Sequence, residues 1–181
     1  MRRAGAAGES SSPADLVELL ADGTGRNAAS IAAAHPEVLD RVASWIRDAA
    51  YAGDWSRVDR FANLAAPLPV EGLADVLVEI LESGVRGANR EDLVEILGEI
   101  HATNAAACLH RLVERSAGED APAYWLCQKA IGSLGCLGTP EALGFLRRLT
   151  APSWPDPIRW HAAVGLGVED DLGFDEERMS V

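Results

Sequence analysis

The sequence predicts an all-α fold in which about four to five antiparallel helix pairs stack into an α-solenoid, or superhelix. From Pro13 onward, apolar residues recur at spacings of three and four, and no segment alternates with period two for the length of a strand. In addition, one apolar pattern returns at intervals of 33, 37 and 32 residues. Periods of this length are typical of stacked helical pairs.

Turn-forming residues divide the periodic region into separate predicted helices. Glycine, proline and aspartate cluster at the breaks, for example at 22–25, 67–69 and 152–157, because these residues stop or redirect a helix. The predicted helices cover residues 13–21, 27–34, 36–51, 54–65, 70–83, 89–101, 103–116, 121–137, 140–150 and 156–167. The short links predict that consecutive helices pack side by side.

One solenoid domain is predicted over residues 13–168, with 13–51 as a divergent N-terminal cap. Residues 1–12 are small and polar and are expected to form a disordered leader, after which Ser12 and Pro13 are expected to begin the first helix. Residues 169–181 are rich in Asp and Glu and are expected to be a flexible acidic tail. No apolar stretch has the length of a signal peptide or a membrane span, so neither is expected.

The repeated pattern places two adjacent residues, apolar in most copies, and a Leu on one helical face. A small residue follows the Leu, and we expect it to let a neighbouring helix approach closely. The four copies, of which the first is the weakest, are Arg57-x-x-Arg60-Phe61-x-x-Leu64-Ala65, Arg90-x-x-Leu93-Val94-x-x-Leu97-Gly98, Cys127-x-x-Ala130-Ile131-x-x-Leu134-Gly135 and Arg159-x-x-Ala162-Ala163-x-x-Leu166-Gly167.

The third copy is followed by Thr139, Pro140 and Glu141, which predict a helix cap, a first helical position and a favourable charge at the positive end of the helix dipole. With these residues, the segment 130–149 resembles the HEAT-like repeats of the phycobilisome-lyase type. The resemblance covers 89–167 well and 54–83 loosely. It implies the fold but says little about activity, because such repeats serve in scaffolds, lyases and glycosylases alike.

The charge balance restricts the expected partners. The net charge is −12, from 28 Asp and Glu against 16 Lys and Arg. A strongly negative domain repels phosphate backbones, so direct nucleic-acid binding is not expected, and the expected partner is a protein with a basic surface. The HEAT-like alkylpurine glycosylases would need a cationic groove, and the acidic middle helices of this chain depart from that requirement.

No residue pattern predicts catalysis, a cofactor or a metal. Ser, Cys and Thr lie outside any nucleophile motif, and no Gly-rich loop follows a strand. The histidines lack metal-ligand spacing, and His110, beside Arg111, is expected near the surface. Cys108, Cys127 and Cys136 lie in apolar helical stretches, where a thiol is commonly buried. Their odd number fits a reducing cytoplasm.

The candidate partner-binding residues are mainly charged side chains on the second helix of each pair, which usually lines the concave surface of HEAT-like solenoids. Four acidic residues recur at i, i+4, i+8 and i+11, although like charges at this spacing are mildly destabilising. They are Glu71, Asp75, Glu79 and Glu82, called the acidic row below. The alternative is a solvated face that serves solubility alone.

Arginines further along the chain extend the candidate surface: Arg111, Arg115, Arg147 and Arg148. A surface graded from acidic to basic would select a partner of complementary pattern. Trp154 lies in the proline-rich loop 152–157, which could display it as an aromatic anchor. The alternative is that Trp154 plugs the end of a helical pair. Trp45 shares a face with apolar residues and is expected in the core.

These features favour a non-catalytic, cytoplasmic binding protein. The chain resembles small acidic HEAT-like immunity proteins, so the most concrete hypothesis is a bacterial immunity protein that neutralises a basic toxin such as a nuclease. An acidic surface could cover the region of the toxin that would meet phosphate. Two alternatives remain: a lyase or chromophore-handling protein with a reactive Cys or His, and an adaptor subunit of a larger complex.

Overall fold

The computed structural model describes residues 12–174, and over these residues the chain contains helices and turns without a strand. A short 3-10 turn, Thr103–Ala105, leads into the seventh helix. The α-helices are α1 (Pro13–Leu20), α2 (Ala28–Ala34), α3 (Glu37–Ala52), α4 (Trp55–Ala65), α5 (Leu73–Ser83), α6 (Arg90–Glu99), α7 (Ala106–Ser116), α8 (Trp125–Leu137), α9 (Pro140–Leu149) and α10 (Asp156–Leu166). The predicted all-α class is confirmed for the described residues. The expected leader lies outside them except for Ser12. Residues 169–174 of the expected acidic tail are described and form hydrogen-bonded turns, in which the Phe174 ring lies 5.1 Å from the Arg159 guanidinium, whereas 175–181 lie outside.

Side-chain caps begin several helices where the sequence predicts them. The Ser12 hydroxyl accepts the Asp15 backbone N–H, and the Asp15 carboxylate accepts the Ser12 N–H at 3.1 Å. This reciprocal pair satisfies donors that α1 would otherwise leave exposed. At α9, the Thr139 hydroxyl accepts the Ala142 backbone N–H at 3.1 Å, with Pro140 at the first position. Both predicted caps are confirmed.

Two helices begin later than predicted because the residue before them has a positive φ. The segment 70–83 was expected to be helical throughout, but α5 begins at Leu73 because Gly72 has a φ of 74°, outside the right-handed helical region. Similarly, α8 begins at Trp125, because Tyr124 has a φ of 55°. The Tyr124 N–H donates to the carbonyl oxygen of Asp120 at 2.7 Å and closes the preceding turn.

From α3 onward, the helices form two rows. Helices α4, α6, α8 and α10 contact one another in that order and form the first row, and α3, α5, α7 and α9 likewise form the second row. Across the rows, α3 packs on α4, α5 on α6, α7 on α8 and α9 on α10. All four copies of the repeated pattern lie on first-row helices.

The repeated leucines share one hydrophobic core. Leu64, Leu97 and Leu134 are almost fully buried, and Leu166 is half-buried against the same cluster. Buried side chains of α1, α2 and α3 belong to this cluster as well. Among them is Trp45, whose predicted core position is confirmed at 7% exposure.

The small residue after each Leu does not have one role. At Gly98, an added Cβ would lie 2.8 Å from the Ser133 hydroxyl on α8, so close approach of α6 and α8 requires glycine there. At Gly167, an added Cβ would meet nothing within 4 Å, but φ is 68° and the residue ends α10. The packing explanation is therefore confirmed for Gly98 and wrong for Gly167, which is a left-handed cap.

Candidate functional site

The acidic row connects the second-row helices. Glu79 on α5 accepts a hydrogen bond from Arg47 Nε on α3 at 3.0 Å. One turn further, Glu82 accepts from Arg111 Nη2 at 2.6 Å and lies 3.4 Å from Arg115 Nη1, both on α7. These two glutamates therefore bridge α5 to the second-row helix on each side.

The other two acidic residues are placed differently. Asp75 accepts a hydrogen bond from Asn104 Nδ2 at 2.7 Å, in the segment before α7. Glu71 is exposed in the turn before α5, so it does not lie on the helix with the rest of the row. Three of the four predicted acids are thus held by polar contacts to neighbouring segments.

These contacts determine the ionisation of the glutamates but contribute little to the free energy of unfolding. Hydrogen bonding from Arg111 holds the pKa of Glu82 below its ordinary value, so Glu82 is ionised at neutral pH. Exposed ion pairs of this kind contribute about 0–1 kcal/mol each. The arginines on α3 and α7 offset the repulsion between successive carboxylates. The surface therefore alternates in sign rather than forming one negative patch.

The two arginines of α9 lie at the far end of the second row. Arg147 and Arg148 are exposed, and within residues 12–174 neither forms an ion pair within 4 Å. The Arg148 guanidinium lies 5.3 Å from the centre of the Phe145 ring, a distance at which a cation is attracted to the ring face. The second row therefore runs from paired acidic side chains on α5 to exposed arginines on α9.

An apolar groove lies beside the acidic row, between the C-terminal end of α3 and α5. It has a volume of about 130 Å³, and Tyr51, Trp55, Ile80 and Val85 contribute to its walls together with Glu79. We call it the Tyr51 groove. The Tyr51 side chain is 80% exposed and Val85 39%. Sequence reasoning did not identify this groove.

A signal for Tyr51 was present in the sequence. The buried residues of α3 include Ile46 and Ala49, and Tyr51 follows two positions later, on the opposite side of a 3.6-residue helix. An aromatic residue on the outward face of an amphipathic helix could therefore have been identified. Its position beside α5 could not, because that depends on how α3 and α5 cross.

Gly87 fixes one wall of the groove. Its φ is 103°, and an added Cβ would lie 2.6 Å from the indole ring of Trp55. The indole thus packs directly on the backbone of the segment between α5 and α6. Trp55 is half-buried and forms a rigid wall rather than a freely moving side chain.

Two other tryptophans, Trp154 and Trp125, differ in exposure. Trp154 is half-buried and packs against the hydrophobic core, and its backbone N–H donates to the Ala151 carbonyl oxygen at 3.1 Å. This placement agrees with the alternative in which Trp154 plugs the end of a helical pair. Trp125, by contrast, is 61% exposed at the start of α8, and the sequence analysis did not single it out.

The expectation for His110 was wrong. Its side chain is buried at 8% exposure and stacks on Phe145 of α9, with ring centres 4.4 Å apart. The imidazole Nδ1 lies 3.7 Å from the Glu114 carboxylate. Burial lowers the pKa of His110. Proximity to Arg111 in the sequence was a poor guide because α9 covers this face of α7.

The cysteines differ in exposure. Cys108 and Cys127 are buried as expected, and burial raises the pKa of each thiol to about 12. Cys136 is exposed, so the expectation of burial is wrong there. On α8, position 136 lies opposite the face of Ala130 and Leu134, which explains the difference.

The described residues offer no built metal site. Within residues 12–174, no three His, Cys, Asp or Glu side chains converge in a way that could hold a metal ion. In the same part of the chain, no helix has the length and apolar character to cross a bilayer.

Comparisons with protein-family models, with curated proteins and with solved structures gave no match to this chain. The packing and the surface chemistry are therefore the basis for a functional proposal.

Proposed function

We propose that this chain is a non-catalytic, HEAT-like solenoid that binds a protein with a basic surface through its second row of helices. The observation that carries the proposal is the Tyr51 groove beside the acidic row. It combines an exposed aromatic side chain, an apolar cavity and a carboxylate, Glu79, within one small area. Buried aromatic anchors surrounded by charged residues are typical of protein–protein interfaces.

The order of helix contacts supports a solenoid. Each helix from α3 to α8 packs on the helix two positions later in the chain, for example α3 on α5 and α4 on α6. The two rows pair across a common core. A solenoid built from helix pairs has this pattern of contacts, because each unit touches chiefly its neighbours. Its second row would then present one continuous surface to a partner.

The dimensions of the groove favour one inserted side chain. A volume of about 130 Å³ is close to that of apolar cavities that accept a small hydrocarbon. We therefore propose that an aliphatic or aromatic side chain of the partner enters the Tyr51 groove. Basic residues beside it would meet Glu79 and Glu82, whose present arginine partners are exposed and exchangeable.

The most concrete form of the proposal is a bacterial immunity protein that acts in the cytoplasm. In that role, the chain would cover the basic, phosphate-binding surface of a toxin such as a nuclease. The net charge of −12 would accelerate encounter with such a toxin at low ionic strength. An adaptor subunit of a larger complex would use the same surface and differ in its partner.

The test begins with purification of the chain from its source cells and identification of basic proteins that accompany it. Each candidate is then purified separately, and its affinity for the chain is measured by calorimetry. For an immunity protein, stoichiometric addition should abolish the activity of the candidate toxin. Failure of every basic candidate to bind at micromolar concentration would overturn the proposed binding of a basic protein.

Variants of the groove then test the surface. Tyr51→Ala should weaken binding by about 30-fold or more, since central aromatic anchors contribute about 2 kcal/mol or more. The matched control is Leu19→Ala on α1, because Leu19 is 81% exposed against 80% for Tyr51. If a partner binds and both variants bind it like the unmodified chain, the Tyr51 groove is not the interface. The proposed protein-binding function would then stand with a different surface.

The lyase or chromophore-handling alternative is favoured by one observation, the exposure of Cys136. The His101 ring lies beside it, with Nδ1 2.9 Å from the Cys136 carbonyl oxygen. A thiol that attaches a ligand should react faster than a simple exposed thiol. Labelling of Cys136 at the rate of free cysteine would remove this alternative, and a much faster rate would favour it over protein binding.

A further inference from the structure

The first helix of the chain exposes three leucines on its outer face. Leu19 is 81% exposed, and Leu16 and Leu20 are 45% and 49% exposed. They recur at i, i+3 and i+4, so they lie on one side of α1. No other helix of the described residues exposes more than one large apolar side chain. We call these three residues the leucine stripe, an apolar face that residues 12–174 leave exposed.

The opposite face of α1 is fixed to the rest of the fold. Val17 is fully buried in the hydrophobic core. The Asp15 carboxylate lies 2.6 Å from Arg57 Nη2, and the Glu18 carboxylate lies 3.1 Å from Arg57 Nε and 3.5 Å from Arg60 Nη1. Both arginines belong to α4. The leucine stripe is therefore held at the surface by a well-anchored helix.

The two ends of the helix rows are covered differently. At the N-terminal end, α1 packs on α3 and α4, the first helices of the two rows. At the other end, the residues after α10 return to it, and the Phe174 ring lies 5.1 Å from the Arg159 guanidinium. The exposed apolar residues there, Val164 and Leu172, are isolated on separate segments. Stacked helices that end in solvent ordinarily have a polar outer face, so the leucine stripe indicates a surface that another molecule covers.

The charges around the leucine stripe fit a second copy of the chain. Asp15 and Glu18, the two acids of α1, already pair with arginines of α4, which reduces repulsion between two such faces. Just beyond α1, the Asn27 side chain donates to the Leu20 carbonyl oxygen at 2.7 Å and holds the loop there. Its neighbour Arg26 is exposed and forms no ion pair within residues 12–174. In an antiparallel contact between two α1 helices, Arg26 of each copy would approach Asp15 of the other.

We propose that two copies of the chain associate through the leucine stripe, with their α1 helices antiparallel about a two-fold axis. A two-fold contact brings the same patch of both copies together, and apolar anchors at i, i+3 and i+4 are typical of helix docking. Antiparallel packing also places opposite ends of the two helix dipoles side by side. A lipid surface fits less well, because α1 has eight residues and carries two acids without a basic residue.

The proposed dimer is independent of the proposed binding of a basic protein. The leucine stripe shares no residue with the Tyr51 groove. Leu19→Ala should therefore change the oligomeric state but not the affinity of each chain for its partner. It remains a control for Tyr51→Ala when affinity is expressed per chain.

Sedimentation equilibrium of the full-length chain, from micromolar to submillimolar concentration, tests the proposal. We expect a reversible dimer with a dissociation constant in the micromolar range, because three leucines from each copy make a small contact. Leu19→Ser should raise this constant about tenfold or more, since it removes the most exposed leucine of the stripe. A chain that stays monomeric throughout this range would overturn the proposal.

A matched pair of variants separates the stripe from general stickiness. Leu16 and Leu172 are both 45% exposed, but only Leu16 belongs to the stripe. Leu16→Ser should weaken the dimer and Leu172→Ser should not, with circular dichroism checking that each variant keeps its helix content. Equal weakening by both substitutions, or a dimer that Leu16→Ser and Leu19→Ser both leave intact, would overturn the proposal.

Charge reversal tests the antiparallel arrangement. Arg26 and Arg86 are both exposed, so Arg26→Glu and Arg86→Glu change the net charge equally. Arg26→Glu should weaken the dimer about threefold more, because only this substitution places a like charge toward Asp15 of the other copy. Equal effects of the two substitutions would overturn the antiparallel contact.

Flotation with phosphatidylcholine vesicles tests whether lipid covers the stripe instead. We expect the chain to remain unbound, since the acids of α1 do not favour a lipid surface. Vesicle binding that Leu19→Ser abolishes would overturn the dimer, because the stripe would then be a membrane contact.

Discussion

The buried core between the two rows and the exposed face of the second row are held together by different interactions. The first row packs through almost fully buried leucines and, at Gly98, through a contact that only glycine permits. The exposed face of the second row is linked instead by ion pairs such as Arg47 with Glu79 and Arg111 with Glu82. Buried apolar contacts contribute more to folding than exposed ion pairs do. Stability therefore comes mainly from the buried core that both rows share, to which Leu77, Leu109 and Leu146 of the second row also belong, and the exposed face of the second row adds little.

The largest expected effect is a core truncation in the first row. Leu134→Ala should lower the free energy of unfolding by about 2–5 kcal/mol, because Leu134 is fully buried and its loss leaves a cavity. Leu166→Ala, at the equivalent position of the last copy, should cost less than half as much since Leu166 is only half-buried. Urea denaturation measures both. Equal losses would mean that α10 is packed as tightly as α8.

The next effect tests the glycine contact between α6 and α8. Gly98→Ala should destabilise the chain by about 1–3 kcal/mol, because the new methyl group would lie 2.8 Å from the Ser133 Oγ. Gly132→Ala is the control, since a Cβ there meets nothing within 4 Å, and it should stabilise α8 by about 0.5–1 kcal/mol. Destabilisation by both substitutions would refute the packing argument.

A pH titration tests one buried and one half-buried histidine, one in each row. Burial lowers the pKa of His110 on α7 and of His161 on α10. The unfolded chain then binds more protons than the folded chain below the ordinary histidine pKa, so stability should fall as the pH drops from neutrality through that value. His161→Gln should flatten this dependence. Stability that stays constant over the same range, measured by thermal denaturation, would contradict the prediction.

The smallest effect belongs to the ion pairs on the exposed face of the second row. Glu82→Gln should change the free energy of unfolding by less than about 1 kcal/mol, because the side chains of Glu82, Arg111 and Arg115 are all substantially exposed. The contribution should disappear as the pH falls through the lowered pKa of Glu82. A loss as large as that of Gly98→Ala would mean that the exposed ion pairs of the second row are structural elements of the fold, and the division between the core and this exposed face would be wrong.

Local signals in the sequence predicted the helices closely. The spacing of apolar residues gave their number and order, and Ser12 and Thr139 marked two starts that the structure confirms. The repeated pattern also identified which leucines enter the core. These features depend on residues within a few positions of each other, where period and capping chemistry decide the conformation.

Contacts between distant residues were not predictable in the same way. The burial of His110 depends on Phe145, and the pairing of Glu79 depends on Arg47. The Tyr51 groove likewise depends on Val85. In each case, the partner lies more than thirty positions away or on a different helix, and the contact follows from how the helices cross.

The sequence by itself therefore determined the helical class, the boundaries of most helices and the apolar face of each, because amphipathic period and end-capping are local properties. Only the tertiary structure decided which polar side chains are buried, which acids are paired, and where the Tyr51 groove lies. These outcomes depend on crossing angles and distances between helices, which small differences in packing set. The sequence pattern carries no direct measure of them.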